Sequence, residues 1–237
     1  MKAMIFAAGV GSRLKELTRD TPKCLMLLGR ETILEHVIAK LKAAGVTSLV
    51  INVHHHAEQI LEFAKAHNNF GVPITFSHEP TLLDTGGGLK KVAAHFAGEK
   101  AFLIHNADVY CDLDLSTLVR AHMTQGSIAT LAVMKRSSTR GLYFSKDAHL
   151  LGWTQESSPP PQNADLLGFC GISVASDELF SYMESNDTFS IIKPFLSAAR
   201  ATQRVFGQVL TDTAWVDIGT PEQLHAVRDQ LVQRDGK

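Results

Sequence analysis

Residues 6–29 read FAAGVGSRLKELTRDTPKCLMLLG, and this stretch concentrates the residue types that handle phosphate. Gly9 and Gly11 follow a short apolar run at residues 1–8, where a backbone free of side chains can turn sharply and come close to a ligand. The commonest ligand at such a turn is a phosphate held by main-chain N–H groups. Arg13 adds a forked, permanent cation, and Lys23 adds a point charge on a flexible stem. Two cations and a row of N–H donors suit a triphosphate, whose charge is too large for backbone groups alone. The bland alternative is a solvated arginine and a surface lysine beside an ordinary turn. Two familiar nucleotide loops are excluded. Leu14 stands where G-x-G-x-x-G needs its third glycine, and no G-x-x-x-x-G-K-[ST] string occurs.

Such a turn needs elements to hold it. Residues 1–8 suit a strand buried on both faces. Residues 32–44 are a predicted helix, with Ile33, Leu34, Val37, Ile38, Leu41 and Ala44 on one face, a Thr32/Glu35 capping box and Gly45 beyond its end. Strands are expected at 48–53, 73–77, 101–105 and 128–134, alternating with helices at 57–67, 88–96 and 115–125. This order predicts an α/β fold, a doubly wound, mostly parallel Rossmann-like sheet with helices on both faces and its ligand edge at the strand C-termini. After Met134 the rhythm changes. Short strands at 142–144, 150–154, 168–174 and 204–210 are interrupted by the loop ESSPPPQNAD, and helices are expected at 177–184, 190–201 and 220–233.

Composition bounds the partners. The 237 residues carry 23 Lys and Arg against 24 Asp and Glu, a formal net charge of −1, which argues against nucleic acid as the main partner. No apolar stretch reaches the roughly 18 residues of a membrane span, and the N-terminus lacks the pattern of a signal peptide. Cys24, Cys111 and Cys170 are scattered without a CxxC pair and read as buried small hydrophobes in a reducing compartment. A cytoplasmic protein is the expectation, a monomer or weak homodimer that contacts neither membrane nor nucleic acid.

The opening stretch resembles the signature of the sugar-1-phosphate nucleotidylyltransferases, approximately G-x-G-[ST]-R-L-x-x-L-T-x-x-x-P-K. Gly9, Gly11, Ser12, Arg13, Leu14, Leu17, Thr18, Pro22 and Lys23 match it, and Glu16 stands where a proline is usual. LLDTGGGL at 82–89 resembles the family's base-recognition loop, NAD at 106–108 the segment with its first metal-binding aspartate, and WVDIGTPEQL at 215–224 the segment with its second. The compact length, the T-G-G-G run and FSIIKPFLSAAR at 189–200 are most similar to the N-acetylmuramate α-1-phosphate uridylyltransferase branch.

The resemblance implies attack of a sugar-1-phosphate on the α-phosphorus of a nucleoside triphosphate, with pyrophosphate released and Mg²⁺ as cofactor. It implies a nucleotide-binding part at about 1–135 and a sugar-phosphate-binding part at about 136–237 of a single domain with a single activity. Arg13 and Lys23 would then be catalytic, and Asp108 and Asp217 the metal ligands; without the family pattern Asp217 reads equally well as a turn residue, and Asp108, with Asp112 and Asp114 nearby, reads better as one. Substrate would be bound by Ala8, Gly9, Gly11, Ser12, Thr85, Gly86, Gly87 and Asn106, the glycines of 86–88 letting backbone approach the nucleobase edge. On the sugar side stand Glu156, Gly171 and Lys193. In many relatives that glutamate is followed by Lys-Pro, whereas Ser157 and Ser158 follow here, which leaves Lys193 as a substitute cation or an exposed helix residue. Gly168 and Gly171 either let a strand approach the sugar or serve packing, and 157–165 is a lid or a surface loop.

Three consecutive histidines, His54 to His56, cannot chelate one ion well from an extended chain. Trp153 and Trp215 read as core or rim packing. The competing readings are a guanylyl- or other nucleotidylyltransferase for a hexose- or heptose-1-phosphate, a nucleotide-binding regulatory subunit without turnover, and, weakest, a Rossmann oxidoreductase.

Overall fold

A computed structural model describes residues 1–9, 11–136, 141–156 and 159–235; for residues 12, 15, 16 and 233–235 it describes the backbone alone. The first half alternates as its sequence pattern predicts: β1 (Lys2–Phe6), α1 (Ile33–Ala43), β2 (Ser48–Val53), α2 (Ala57–Ala66), β3 (Ile74–His78), α3 (Asp84–Lys91) and β4 (Phe102–Asn106). There follow β5 (Val109–Cys111), α4 (Leu115–Gln125), β6 (Ala129–Met134), β7 (Gly141–Phe144), β8 (Leu150–Trp153), β9 (Asp165–Ala175), α5 (Ile192–Thr202), β10 (Val205–Val209), β11 (Trp215–Asp217) and α6 (Pro221–Asp235).

Among the described residues nine strands form one sheet in the order β10-β6-β9-β4-β1-β2-β3, with β7 beside β9 and β8 beside β7. β3, β2, β1 and β4 run parallel, and β6 and β10 are parallel to each other. β9 lies antiparallel between β4 and β6, a departure from uniform winding. The cause is the change of rhythm after Met134. β7 and β8 are joined as a hairpin, and short connections reverse chain direction where a crossover helix would preserve it. β9 and β10 thus tie the second half of the chain into the sheet of the first.

The strands bury side chains on both faces, as their continuous apolar runs require. In β1, Ala3 and Ile5 join one core with α1, α2, α4 and α6, while Met4 joins the other with α3, α5 and Phe96. β2 divides likewise, Leu49, Ile51 and Val53 against Val50. α1 starts where its capping box says: the Thr32 hydroxyl accepts from Glu35 N, and the Glu35 carboxylate accepts from Thr32 N at 2.7 Å.

Two expectations are corrected and one feature is added. α3 begins at Asp84, four residues earlier than its glycines suggested, so Gly86, Gly87 and Gly88 lie inside a helix. Residues 177–184 form a tighter 3₁₀ segment, Asp177–Tyr182. β5 and β11, three residues each, pair antiparallel in a small second sheet that the sequence pattern did not reveal. Among the described residues no helix is long and apolar enough to cross a membrane.

Candidate active site

The glycine turn leaves the C-terminal end of β1 at the centre of the sheet. Gly11 has φ +68°, and a Cβ there would stand 3.0 Å from the Thr18 methyl. The Thr18 hydroxyl donates to the Gly11 carbonyl at 3.0 Å, and Leu14 N donates to the same oxygen at 2.9 Å, so the Gly-x-Arg-Leu turn closes on the Thr of its own signature. Gly9 faces open space, with no heavy atom within 4 Å of a Cβ added there. Ala8 is buried below it. The Ser12 side chain lies outside the described residues.

The next strand over holds this turn in place. Asn52, at 2 % exposure on β2, accepts from Ala7 N at 2.9 Å and donates to Glu79 Oε1 at 2.7 Å. The other Glu79 oxygen accepts from Leu83 N at 3.1 Å, just before α3. A buried polar chain therefore fixes the start of α3 relative to the end of β1, every member hydrogen-bonded as burial demands.

Two aspartates meet beneath the turn because β5 pairs with β11. Asp217 stands opposite Val109, and Ile218 N donates to the Asp108 carbonyl at 2.9 Å, which brings the two carboxyl groups to one place. Pro22 starts a short 3₁₀ turn, Lys23–Leu25, that delivers the Lys23 ammonium between them. Lys23 Nζ, on a side chain only 10 % exposed, donates to Asp108 Oδ2 at 2.5 Å and lies 3.9 Å from Asp217 Oδ1. Arg13 reaches Asp217 Oδ2 at 4.0 Å from the open side. Asp217 Oδ1 is buried without a hydrogen-bond partner. Burial, then the Asp108 charge, pushes the Asp217 carboxyl above the usual range, while Lys23, Arg13 and Arg136 pull it back.

These groups border a cleft of about 660 Å³ lined by Arg13, Asp84, Thr85, Asn106, Arg136, Trp153, Phe169, Ser190, Ile191, Ile192 and Asp217. Of the residues singled out from sequence, Arg13, Thr85, Asn106 and Asp217 line it. Gly9, Lys23 and Asp108 share an adjoining hollow with Phe6, Ala7, Cys24 and Ala107. Gly171, at φ +73°, leaves room for the Asn106 amide, 2.6 Å from where its Cβ would be. Glu156 and Lys193 are not in the lining. Glu156 is ion-paired with Arg200, and Lys193 lies 4.0 Å from Glu184. Ser157 and Ser158, at the head of the expected lid, fall outside the described residues.

The glycines of α3 have a packing use that the sequence pattern did not show. Gly86 N and Gly87 N donate to the Phe189 carbonyl at 2.8 and 3.3 Å. A Cβ on Gly86 would lie 2.4 Å from the Phe189 ring, and one on Gly87 would lie 1.9 Å from the Asp187 carbonyl oxygen. Their bareness seats the segment 187–189 on the helix, and those N–H groups are already engaged. Thr85 belongs to the same contact, its hydroxyl accepting from Ile191 N at 3.0 Å.

Sequence reasoning missed Arg136, Asp84 and Phe169, and read Trp153 only as packing. Arg136 was accessible to it, two residues past the end of β6 on the ligand edge of the sheet. In the histidine run, His54 Nδ1 lies 2.6 Å from the Glu79 carbonyl and His56 Nε2 3.0 Å from the Arg19 carbonyl, while the His55 and His56 rings pack 3.8 Å apart. The described residues hold no group of three or more His, Cys, Asp or Glu suited to a metal. All three cysteines are buried, and burial pushes the Cys24 and Cys170 thiols up to about 12, far from a reactive thiolate.

Residues 2–142 match the family model described as nucleotidyl transferase. The chain is 30% identical over 238 residues to the N-acetylmuramate alpha-1-phosphate uridylyltransferase of Neisseria meningitidis serogroup B, covering 93% of this chain and 94% of that one. It is 28% identical over 246 residues to the UTP–glucose-1-phosphate uridylyltransferase of Synechocystis sp., covering 98% of this chain and 63% of that one. Against several curated relatives, mannose-1-phosphate guanylyltransferases among them, the chain spans only 38% to 63% of their length. The crystal structure of UDP-glucose pyrophosphorylase complexed with UDP-glucose superposes with a TM-score of 0.81 at 14% identity, covering 98% of both chains, a likeness of fold.

Proposed function

Because the chain belongs to the nucleotidyl transferase family, we propose that it transfers a nucleotidyl group from a nucleoside triphosphate to a sugar-1-phosphate, with UTP and N-acetylmuramate α-1-phosphate as the pair. One observation carries this reading: a nearly buried ammonium, Lys23, held between two carboxylates beneath a phosphate-type glycine turn, with Arg13 at the rim. The T-G-G-G run and the end-to-end match to the Neisseria relative support the choice of pair.

In the reaction a phosphate oxygen of the sugar-1-phosphate attacks the α-phosphorus. The bond from that phosphorus to the bridging oxygen of the β-phosphate breaks, and pyrophosphate leaves. The attacking oxygen is already anionic, so no proton has to be removed, and catalysis rests on alignment and charge. Backbone N–H groups of the turn around Gly9 and Gly11 receive the triphosphate. Lys23 serves the α-phosphate, where charge builds as the bond forms, and Arg13 serves the departing pyrophosphate.

The donor set fits a hard divalent cation. Asp217 Oδ1 lacks a hydrogen-bond partner, Asp108 lies beside it, and Mg²⁺ is commonly held by one or two carboxylates with phosphate and water completing its shell. Asp108 and Asp217 would hold the ion, which when bound offsets the repulsion between the two phosphate groups.

A second reading keeps the reaction and changes the substrates to GTP and a hexose- or heptose-1-phosphate; the guanylyltransferases among the relatives favour it. The test is pyrophosphate release with Mg²⁺ across the four nucleoside triphosphates and a panel of sugar-1-phosphates. Fastest release with UTP and N-acetylmuramate α-1-phosphate supports the first reading and a place in cell-wall sugar salvage. Release with GTP and mannose- or heptose-1-phosphate supports the second. Nucleotide binding without release from any pair would favour a regulatory subunit.

A further inference from the structure

We propose that Arg136 is the residue that takes an anionic group of the sugar substrate, its phosphate or a carboxylate on the sugar; this rests on the transfer reaction above. Arg136 stands two residues past β6, on the lining of the cleft. Three features fix it. Its Nη2 donates to the Phe169 carbonyl at 2.8 Å, and its guanidinium lies over the Trp215 ring at 4.5 Å. Trp215 is itself anchored by donation from Nε1 to the Cys170 carbonyl at 2.8 Å. Gly168 makes the seat, since a Cβ there would stand 2.4 Å from Nε and 2.7 Å from Cγ of Arg136.

None of these partners is a carboxylate. Arg13, Lys23, Lys193 and Arg200 each have an Asp or Glu within ion-pair distance. Among the described residues, Arg136 has none. A guanidinium carries five N–H donors, and the Phe169 carbonyl occupies one. Among the described residues the result is an anchored cation with donors to spare on the wall of the cleft. The side chains beside it, Trp153, Phe169, Ile191 and Ile192, give apolar surface for the C–H face of a sugar.

Placement separates its role from that of the other cations. Lys23 and Arg13 come from the segment after β1 and gather at the two aspartates. Arg136 comes from the β6 and β9 side, yet its field reaches Asp217. A reaction that joins two anions needs a cation for each, and Arg136 stands free for the second. Glu156 and Lys193, the sequence-based candidates for that side, are engaged outside the lining.

The experiment is steady-state kinetics of the wild type, Arg136→Gln, Arg136→Lys and Gly168→Ala, with thermal melting as the check of folding. Two acceptors are used, one sugar-1-phosphate with a carboxylate on the sugar and one without. Arg136→Gln is expected to raise the KM for sugar-1-phosphate about 10- to 100-fold, the loss of a charge-assisted pair, with the KM for nucleoside triphosphate within about twofold. Arg136→Lys should restore part of the loss. Gly168→Ala, which keeps the charge and displaces it, should raise the same KM. A rise for both acceptors assigns Arg136 to the phosphate, and a rise for the carboxylated one alone assigns it to the carboxylate. An unchanged KM for sugar, or a rise confined to the nucleotide, overturns the proposal while the transfer reaction stands. A wild type without turnover on any pair overturns the reaction, and Arg136's role with it.

Discussion

At the scale of single residues, the arrangement turns on one ammonium and two carboxylates. Lys23 is pinned by Asp108 and nearly buried, so its charge is felt through a medium less screening than water. Lys23→Ala should lower kcat about 10²- to 10³-fold at saturating triphosphate, the range for losing one donor to developing charge. An unchanged rate constant would remove Lys23 from the transition state. Asp217 predicts an opposition between stability and function. Its carboxyl is partly desolvated, has one oxygen without a hydrogen-bond partner and faces a like charge. Asp217→Asn should therefore melt higher than the wild type in a chelating buffer and lose Mg²⁺-dependent turnover. A lower melting temperature would mean that Asp217 supports the fold. The signature residues lie close together in sequence, which made them legible; Thr18 closes locally on Gly11, whereas Arg13 and Lys23 find their carboxylates on remote strands. Arg136 could have been marked by its place just past β6, but its seat could not, since that depends on Gly168 and Trp215, which are remote in sequence.

At the scale of elements, what could be read depended on where the stabilising contacts lie. The Thr32/Glu35 box is local, and α1 begins where it predicts. The first turn of α3 escaped because three consecutive glycines disfavour a helix by roughly 1 kcal/mol each, and only remote partners make them useful, the segment 187–189 for Gly86 and Gly87 and the Asn52–Glu79 pair for Gly88. β5 and β11 escaped because strands of three residues carry almost no periodic signal, although they bring the two aspartates together. Gly87→Ala tests this account of α3. Its methyl would meet the Asp187 carbonyl, so the variant should lose at least about 1–3 kcal/mol in urea unfolding. Gly9→Ala, facing open space, should lose less than about 0.5 kcal/mol. Equal losses would contradict the seating of 187–189 on α3.

At the scale of the whole molecule, one sheet joins both halves of the cleft, and its core sets a pH dependence. His105 is buried at the end of β4, and burial holds it down at about 4 despite its contact with the Asn106 carbonyl. His122, packed between Thr130 and the Lys100 carbonyl, is lowered for the same reason. Above about pH 6.5 both states keep these rings neutral. Below it the unfolded chain takes protons that the folded chain refuses, so stability falls as pH drops toward 4. The carboxyls held low by partners, Asp114, Asp165 and Glu178, contribute nothing between pH 6.5 and about 5, where both states are ionised. Asp217, held high, opposes the trend, so the cleanest background is Asp217→Asn. Its unfolding free energy should decline between pH 6.5 and 5, and a flat profile would mean that the buried histidines accept protons in place.

The central claim is that two anionic substrates are joined by charge and alignment, with no proton to remove. The most direct test is a product balance for the wild type with UTP, N-acetylmuramate α-1-phosphate and Mg²⁺. The account predicts one pyrophosphate and one nucleotide-sugar per turnover, with no pyrophosphate when either substrate is omitted or the metal is chelated. Pyrophosphate from UTP alone, or none when both substrates and Mg²⁺ are present, would contradict it.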